Sequence, residues 1–233
     1  MIELGRFTSP YDTCPYLGDR PARSVFRLVV DLSPHEYDEL LAAGWRRFGS
    51  IVFQPRCEPC HECVPIRVVV ERFRPSRSQR RVLRRNADIE VEVGEPCADE
   101  ERLGLYERHH LEREARRGWA PTRMTVSAYE ESFVHNAVAT LEFRYRLARR
   151  LVAIAYVGEA ADALNSIYAF SDPRVLHRGL GNFDVLREIE EARRRGKRHL
   201  YLGFLVDGCR SMEYKAAFRP YELRRGDDWV DAG

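Results

Sequence analysis

The sequence predicts an α+β fold: a mixed sheet with flanking helices. Three observations carry this. Two β-rich runs, 137–147 and 151–157, are separated only by Ala148-Arg149-Arg150, which marks a hairpin. A further β-rich run, 165–170, leads through Arg178-Gly-Leu-Gly181 into a helix and then a strand at 200–206, an order that requires a crossover. Sheets fed by both hairpins and crossovers are mixed. Third, capping patterns at Ser33-Pro34-His35-Glu36 and Ser76-Arg-Ser-Gln79 open helices between the β-rich runs.

The elements follow in order. An apolar run at 25–31 reads as a strand. Ser33-Pro34-His35-Glu36 combines an N-cap serine, proline at the first helical position and glutamate three residues on, so a helix runs from Pro34 to about Ala43, with Gly44 as its stop. Residues 45–53 and 66–73 have β character. Ser76-Arg-Ser-Gln79 repeats the capping pattern and opens a helix to about Asn86. A short strand at 89–93 precedes a charged helix over 99–117, ended by Gly118. Ser127-x-x-Glu130 starts a short helix. After the hairpin and the strand at 165–170, the last predicted helix ends at Arg195 and Gly196, ahead of the strand 200–206.

With 233 residues, 44% of them hydrophobic, the chain can build a sizeable core. Lys and Arg total 38 against 36 Asp and Glu, so net charge names no partner and its distribution matters instead. No secretory leader pattern opens the chain. No apolar run approaches the roughly 20 residues needed to span a bilayer. A reducing, cytoplasmic setting is therefore expected, without a membrane partner. There the six cysteines read as ligands or free thiols before disulfides.

Cys57-x2-Cys60-x2-Cys63 sets three thiols on one tight loop, and Cys14, in another proline-marked turn, is the candidate for a fourth. Four thiolates suit tetrahedral zinc or an iron–sulfur cluster. The alternative is a loop of reduced cysteines with no ligand. Arg77, Arg80, Arg81, Arg84 and Arg85 share one helix face, and no acidic residue interrupts 74–87. Ordinary solvated faces alternate charge sign; an unbroken cationic stripe suits polyanion phosphates. Arg178-Gly179-Leu-Gly181 ahead of a helix resembles the cofactor-pyrophosphate turn of acetyltransferase-type folds, where backbone N–H groups meet an anion. Tyr214 and Lys215 directly follow the last predicted strand, where a lysine is placed to meet phosphate or carboxylate; the alternative is a surface lysine on a short helix.

Taken together, spaced blocks along nearly the whole chain resemble the aminoacyl-tRNA–protein transferases of the N-degron pathway, with the bacterial branch acting on N-terminal Asp and Glu nearest. They are Cys14-Pro-Tyr-Leu17, Gly44-Trp-Arg-Arg47, the cysteine loop with Pro65 and Arg67, Phe73-x-Pro-Ser-Arg-Ser-Gln-Arg-Arg81 through Asp88, Tyr201-Leu-Gly203, and Met212-x-Tyr-Lys215-x2-Phe218-x-Pro220-x-Glu222. The chain departs from the family pattern at 107–115 and at Ala163-Leu-Asn165. The resemblance implies an acetyltransferase-like (GNAT-like) catalytic domain, 76–233, preceded by a cysteine-bearing region, 1–75. It implies transfer of leucine from aminoacyl-tRNA to proteins bearing N-terminal Asp or Glu, marking them for degradation, with arginyl-tRNA as the alternative donor. Some relatives carry an iron–sulfur cluster on the cysteines.

The residues suit that reaction. An acceptor stem needs an arginine face, the 3′ end needs a cleft with backbone donors, and the acidic acceptor needs cations, for which Arg77, Arg80 and Lys215 are candidates. The aminoacyl ester is already activated, so transfer requires no cofactor and no Ser or Cys nucleophile. Positioning should supply most of the rate. Tyr168 and Asp172, ending a central strand, are candidates to orient or deprotonate the amine. Arg178, Gly179, Gly181 and Tyr214 are candidates for the 3′ end. Two rivals fit parts of the chain: an acetyl-CoA-dependent N-acetyltransferase, which explains the glycine turn alone, and a non-catalytic RNA-binding protein with a zinc staple.

Overall fold

Alternating apolar residues near the N-terminus build an antiparallel sheet. A computed structural model of the chain, describing residues 1–118, 121 and 123–233, shows its strands β1 (Ile2–Thr8), β4 (Ser24–Val30), β5 (Arg46–Phe48) and β6 (Ile51–Pro55) in the order β1-β4-β6-β5. Two-residue strands β2 (Asp12–Thr13) and β3 (Pro21–Ala22) form a separate ribbon. The helix α1 (Pro34–Ala42) starts with the expected capping box, Ser33 and Glu36 bonding reciprocally. Residues 45–53, read as one β segment, are a hairpin of β5 and β6 with Gly49 at φ +56°.

The second sheet has eight strands. They are β7 (Val64–Val69), β8 (Ile89–Gly94), β9 (Thr140–Leu147), β10 (Arg150–Glu159), β11 (Ala163–Ser171), β12 (His199–Leu205), β13 (Tyr221–Arg225) and β14 (Asp228–Asp231). Their order is β14-β13-β7-β12-β11-β10-β9-β8. The β9–β10 hairpin turns on Ala148 and Arg149, both at positive φ. Only β11 and β12 pair in parallel, as the crossover requires. β7 precedes residue 75, yet it is an inner strand of this sheet, bonded to β12 and β13. The two C-terminal strands were not expected from sequence.

Helices cover both faces. The helix α2 (Arg77–Arg85) is capped by Ser76 and Gln79 as expected. The helix α3 (Glu100–Arg117) starts at Asp99 and stops at Gly118, φ +64°. The short helix α4 (Val126–Tyr129) is capped by Thr125 rather than Ser127, and a π turn over Glu130–Val134 continues it. The helix α5 (Leu180–Arg194) follows a 3₁₀ turn over Pro173–Arg178, and α6 (Arg210–Glu213) runs into a second 3₁₀ turn, Tyr214–Ala217. Side chains alternate along β10: Ala153, Ala155 and Val157 join the core under α5 with Phe183, Leu186 and Ile189, whereas Ile154 and Tyr156 join Leu105, Tyr106 and Phe133 under α3. Each such buried Leu, Ile or Phe stabilises the fold by about 1.5–3 kcal/mol. No helix among the described residues is long and apolar enough to cross a membrane.

Two buried arginines tie the layers together. Arg47 is 1% exposed. It donates to Gly49 O at 2.7 Å, Asn136 Oδ1 at 2.6 Å and Thr140 Oγ1 at 2.7 Å, locking the first sheet to the second. Arg102 makes a two-pronged pair with Glu142, at 2.6 and 2.9 Å, fixing α3 on β9. Each buried charge is fully partnered, which is the condition for tolerating it.

Candidate functional site: a cleft where two parallel strands part

β11 and β12 pair through three rungs only, ending at Asn165 and Tyr201. Both strands run on, to Ser171 and Leu205. A cleft of 640 Å³ opens between the unpaired ends, lined by Ser166, Tyr168 and Ala169 on one side and Leu202, Gly203 and Phe204 on the other. Gly181 and Asp184 from α5 and Tyr214 and Lys215 from the last 3₁₀ turn close two of its flanks. The first sheet supplies Arg46, Phe48 and Phe53, the Cys14-Pro-Tyr turn Tyr16, and α3 Arg113.

Arg46 is the wedge that holds the strands apart. It donates to Asn165 Oδ1 and, at 2.7 Å, to Ser166 O, where β11 leaves β12. Gly203 opposite has φ +88°, and a Cβ there would stand 2.9 Å from the Arg46 guanidinium carbon. Glycine is thus required twice, for its backbone angle and for the space.

Of the predicted residues, Tyr168, Gly181, Tyr214 and Lys215 come together in this cleft. The Tyr168 hydroxyl lies 2.9 Å from His110 Nε2, and burial raises its pKa above the ordinary range. Lys215, 7% exposed, donates to Phe204 O at 2.7 Å, and burial pushes its pKa down to about 7, with Arg46 adding to the shift. Gly179, at φ +69°, begins α5 and lines a smaller side cavity.

Asp172 and Arg178 are outside the cleft. The Asp172 carboxylate caps the Pro173–Arg178 turn through Arg174 N and pairs with the Arg174 guanidinium at 2.8 Å, so its pKa falls to about 2. A carboxylate so occupied is a poor proton acceptor near neutrality. Its sequence position at a strand end is explained by capping. Arg178 pairs with Asp88 at 2.7 Å and braces α2 against the glycine turn rather than facing a ligand.

Arg77, Arg80, Arg81, Arg84 and Arg85 are all exposed on α2, and among the described residues none makes an ion pair with a carboxylate. Arg80 and Arg85 donate to the Pro75 and His177 carbonyls. The opposite face of α2 anchors it beside the cleft: Gln79 donates to Ala217 O at 3.0 Å and Asn86 to Arg178 O at 3.0 Å. The cationic row therefore flanks the turns that carry Lys215 and Gly181. A larger groove, 720 Å³, lies by β7 and the end of α5. Its Arg193 and Lys197 donate to the backbone carbonyls of Val70 and Ala160, and it holds none of the candidate site residues.

The thiols of Cys14, Cys57 and Cys60 stand near enough to Cys63 to add to the burial that raises its pKa to about 12. Cys63 packs with Tyr16, Phe53 and Phe204, so the cysteine loop roofs the cleft. The donor chemistry suits a soft metal. As arranged, however, no three His, Cys, Asp or Glu side chains among the described residues converge closely enough to hold one. Cys57 instead faces Arg23 O and Cys60 faces Arg20.

Sequence reasoning overlooked Arg46, Asp184 and Glu188. Arg46 lay within the quoted Gly-Trp-Arg-Arg block with no role attached. Asp184 and Glu188 are four apart among Phe183, Val185, Leu186 and Ile189. Two carboxylates on the apolar face of a helix are a readable sign of an inward-facing acidic site.

Residues 12–81 match the family described as arginine-tRNA-protein transferase, N terminus, and residues 101–225 the one described as arginine-tRNA-protein transferase, C terminus. The aspartate/glutamate leucyltransferase of Marinobacter nauticus is 40% identical over 229 residues, 96% of this chain and 94% of that protein. The aspartate/glutamate leucyltransferase of Campylobacter jejuni subsp. jejuni is 34% identical over 230 residues, 97% of this chain and 95% of that protein. The crystal structure of FemX is similar in fold, with TM-score 0.52 and 12% identity over 90% of this chain and 71% of that one.

Proposed function

The chain belongs to the arginine-tRNA-protein transferase family, and from that premise we propose that it transfers leucine from leucyl-tRNA to the α-amine of proteins beginning with Asp or Glu. The carrying observation is a cleft between parting parallel strands, flanked by a row of exposed arginines without carboxylate partners. The fold is read as acetyltransferase-like, which the short parallel pair and the glycine turn before α5 support.

The arginines of α2 hold acceptor-stem phosphates, and the 3′ end enters the cleft past Tyr214 and the uncapped first turn of α5. The acceptor amine, with a pKa of about 8, is partly neutral at physiological pH. Its nitrogen lone pair attacks the ester carbonyl carbon. The new C–N bond forms, the C–O bond to the ribose breaks, and a proton from the amine passes to the ribose oxygen. Lys215 faces the acceptor's acidic side chain, whose charge restores the ammonium that burial disfavours. Catalysis is then mainly positioning of the amine against the ester. No step draws on a metal, because the ester is already activated. The cysteine loop acts as a roof, and metal analysis of the isolated protein tests whether it also binds zinc or iron.

Leucine is favoured over arginine as donor because the relatives at 40% and 34% identity are named leucyltransferases. The test gives purified protein radiolabelled leucyl-tRNA, arginyl-tRNA or acetyl-CoA with a Glu-headed peptide. Leucine on the peptide is expected. Acetylation alone, or tRNA binding without transfer, would reject the reading.

A further inference from the structure

A second cavity, of 170 Å³, adjoins the cleft, and Arg113, Ala169, Gly181 and Asp184 line both. Its inner wall is apolar: Ala153, Ile154, Phe170, Leu176 and Leu180. Cavities of roughly 150 Å³ with such walls admit small apolar groups the size of benzene. At the junction stands Asp184, 5% exposed, its carboxylate accepting a hydrogen bond from Tyr145 at 2.6 Å. One helical turn on, Glu188 is fully buried, and neither of its oxygens has a hydrogen-bond partner of ordinary geometry.

We propose that this side cavity takes the side chain of the transferred amino acid, and that Asp184 at its mouth binds that amino acid's α-ammonium. The inference rests on the aminoacyl-transfer reading above and adds the donor's binding mode. The argument is one of connectivity. If the ester lies in the cleft and the side chain in the cavity, the α-carbon must sit at the junction, and the α-nitrogen then lies at the one carboxylate lining both spaces. Leucine's branched hydrocarbon suits the wall. A guanidinium carried past Asp184 would be stripped of water with no further carboxylate among the described lining residues to meet it, a costly burial.

Burial raises the pKa of Asp184 to about 7, with Tyr145 opposing, and Glu188 is also raised well above the carboxylate range, by burial first and by Asp184 itself. An arriving ammonium stabilises the ionised Asp184, and Glu188 keeps its proton, so the pair carries one negative charge. The other titratable groups around it are Arg46 from β5, which opposes the rise at Glu188, His109 and Arg113 from α3, Tyr145 from β9, and Tyr214 and Lys215 across the cleft.

The test compares two donors on one tRNA, leucine and its α-hydroxy counterpart, which lacks only the ammonium, with a Glu-headed acceptor peptide. The wild type should prefer leucine by about tenfold to a hundredfold in kcat/KM, the worth of one charge-assisted hydrogen bond. Asp184→Asn should erase most of that preference. Ala153→Leu, which fills the cavity, should cut leucine use about tenfold more than use of the shorter 2-aminobutyryl donor. A wild type that transfers leucine but uses the hydroxy donor equally well overturns the inference and leaves the transferase reading standing, whatever the variants do. A wild type that transfers neither acyl group to the peptide defeats both.

Discussion

A methyl group at position 203 would strike the Arg46 guanidinium of the first sheet, and one at 158 would come within 2.8 Å of the Tyr37 hydroxyl on α1, so two glycines set how closely these elements approach the second sheet. Gly203→Ala is expected to displace Arg46, with a loss of at least tenfold in kcat and about 1–3 kcal/mol in stability from the strained φ. Denaturant unfolding and donor kinetics check it. Asp172→Ala should do the reverse: about 1 kcal/mol of stability lost with the cap, and kcat nearly unchanged. If that variant folds normally and loses all activity, the capping account of Asp172 is wrong. Because its folded pKa is depressed, Asp172 contributes stability above the ordinary carboxylate range, lost as pH falls toward 2. Lys215 matters through its charge in the cleft rather than through stability. Burial lowers its pKa to about 7, so its charge is present below that pH and fades above it. KM for a Glu-headed acceptor should therefore rise above about pH 7, while KM for the donor, governed by Asp184, rises below it. Lys215→Met should remove the first limb and keep the second.

At the scale of elements, much was legible because short-range rules dominate. The capping boxes at Ser33 and Ser76, the Gly118 stop and the 148–150 hairpin all act within four residues, and all appear as read. The strands at Ile2–Thr8 and Tyr221–Arg225 were not legible, since they are placed by distant partners, β4 and β7; β1 is exposed along its whole length, and the β13–β14 hairpin, though local, was missed. The cap at 127 was misplaced by two residues, because Thr125 offers the same hydroxyl and the π turn disguises the period. Within the site, the cleft residues Tyr168, Tyr214 and Lys215 came from strand-end positions, a local signal. Arg46 and the Asp184–Glu188 pair depended on which face met which sheet, and that is decided by packing. The helix α3 illustrates the energetic side: Leu105 is fully buried, and Leu105→Ala should cost about 2–5 kcal/mol in urea unfolding without altering donor preference.

Across the whole molecule, the first sheet and the cysteine loop act as one wall of a cleft whose other walls come from the second sheet. Arg47 and the strand β7 weld the halves, so the site cannot form in either alone. Charge follows the same division: the cleft sets the cations Arg46, Arg113 and Lys215 around the carboxyl of Asp184, whereas α2 presents to solvent a row of arginines that, among the described residues, have no carboxylate partners. That row is the central physical claim, since it brings a loaded RNA to the cleft. The direct measurement is leucyl-tRNA affinity against salt concentration for the wild type and for Arg81→Ala/Arg84→Ala. The account predicts weaker binding and a log–log slope shallower by about two, one per lost phosphate contact, with the fold intact. An unchanged affinity and an unchanged slope would contradict it.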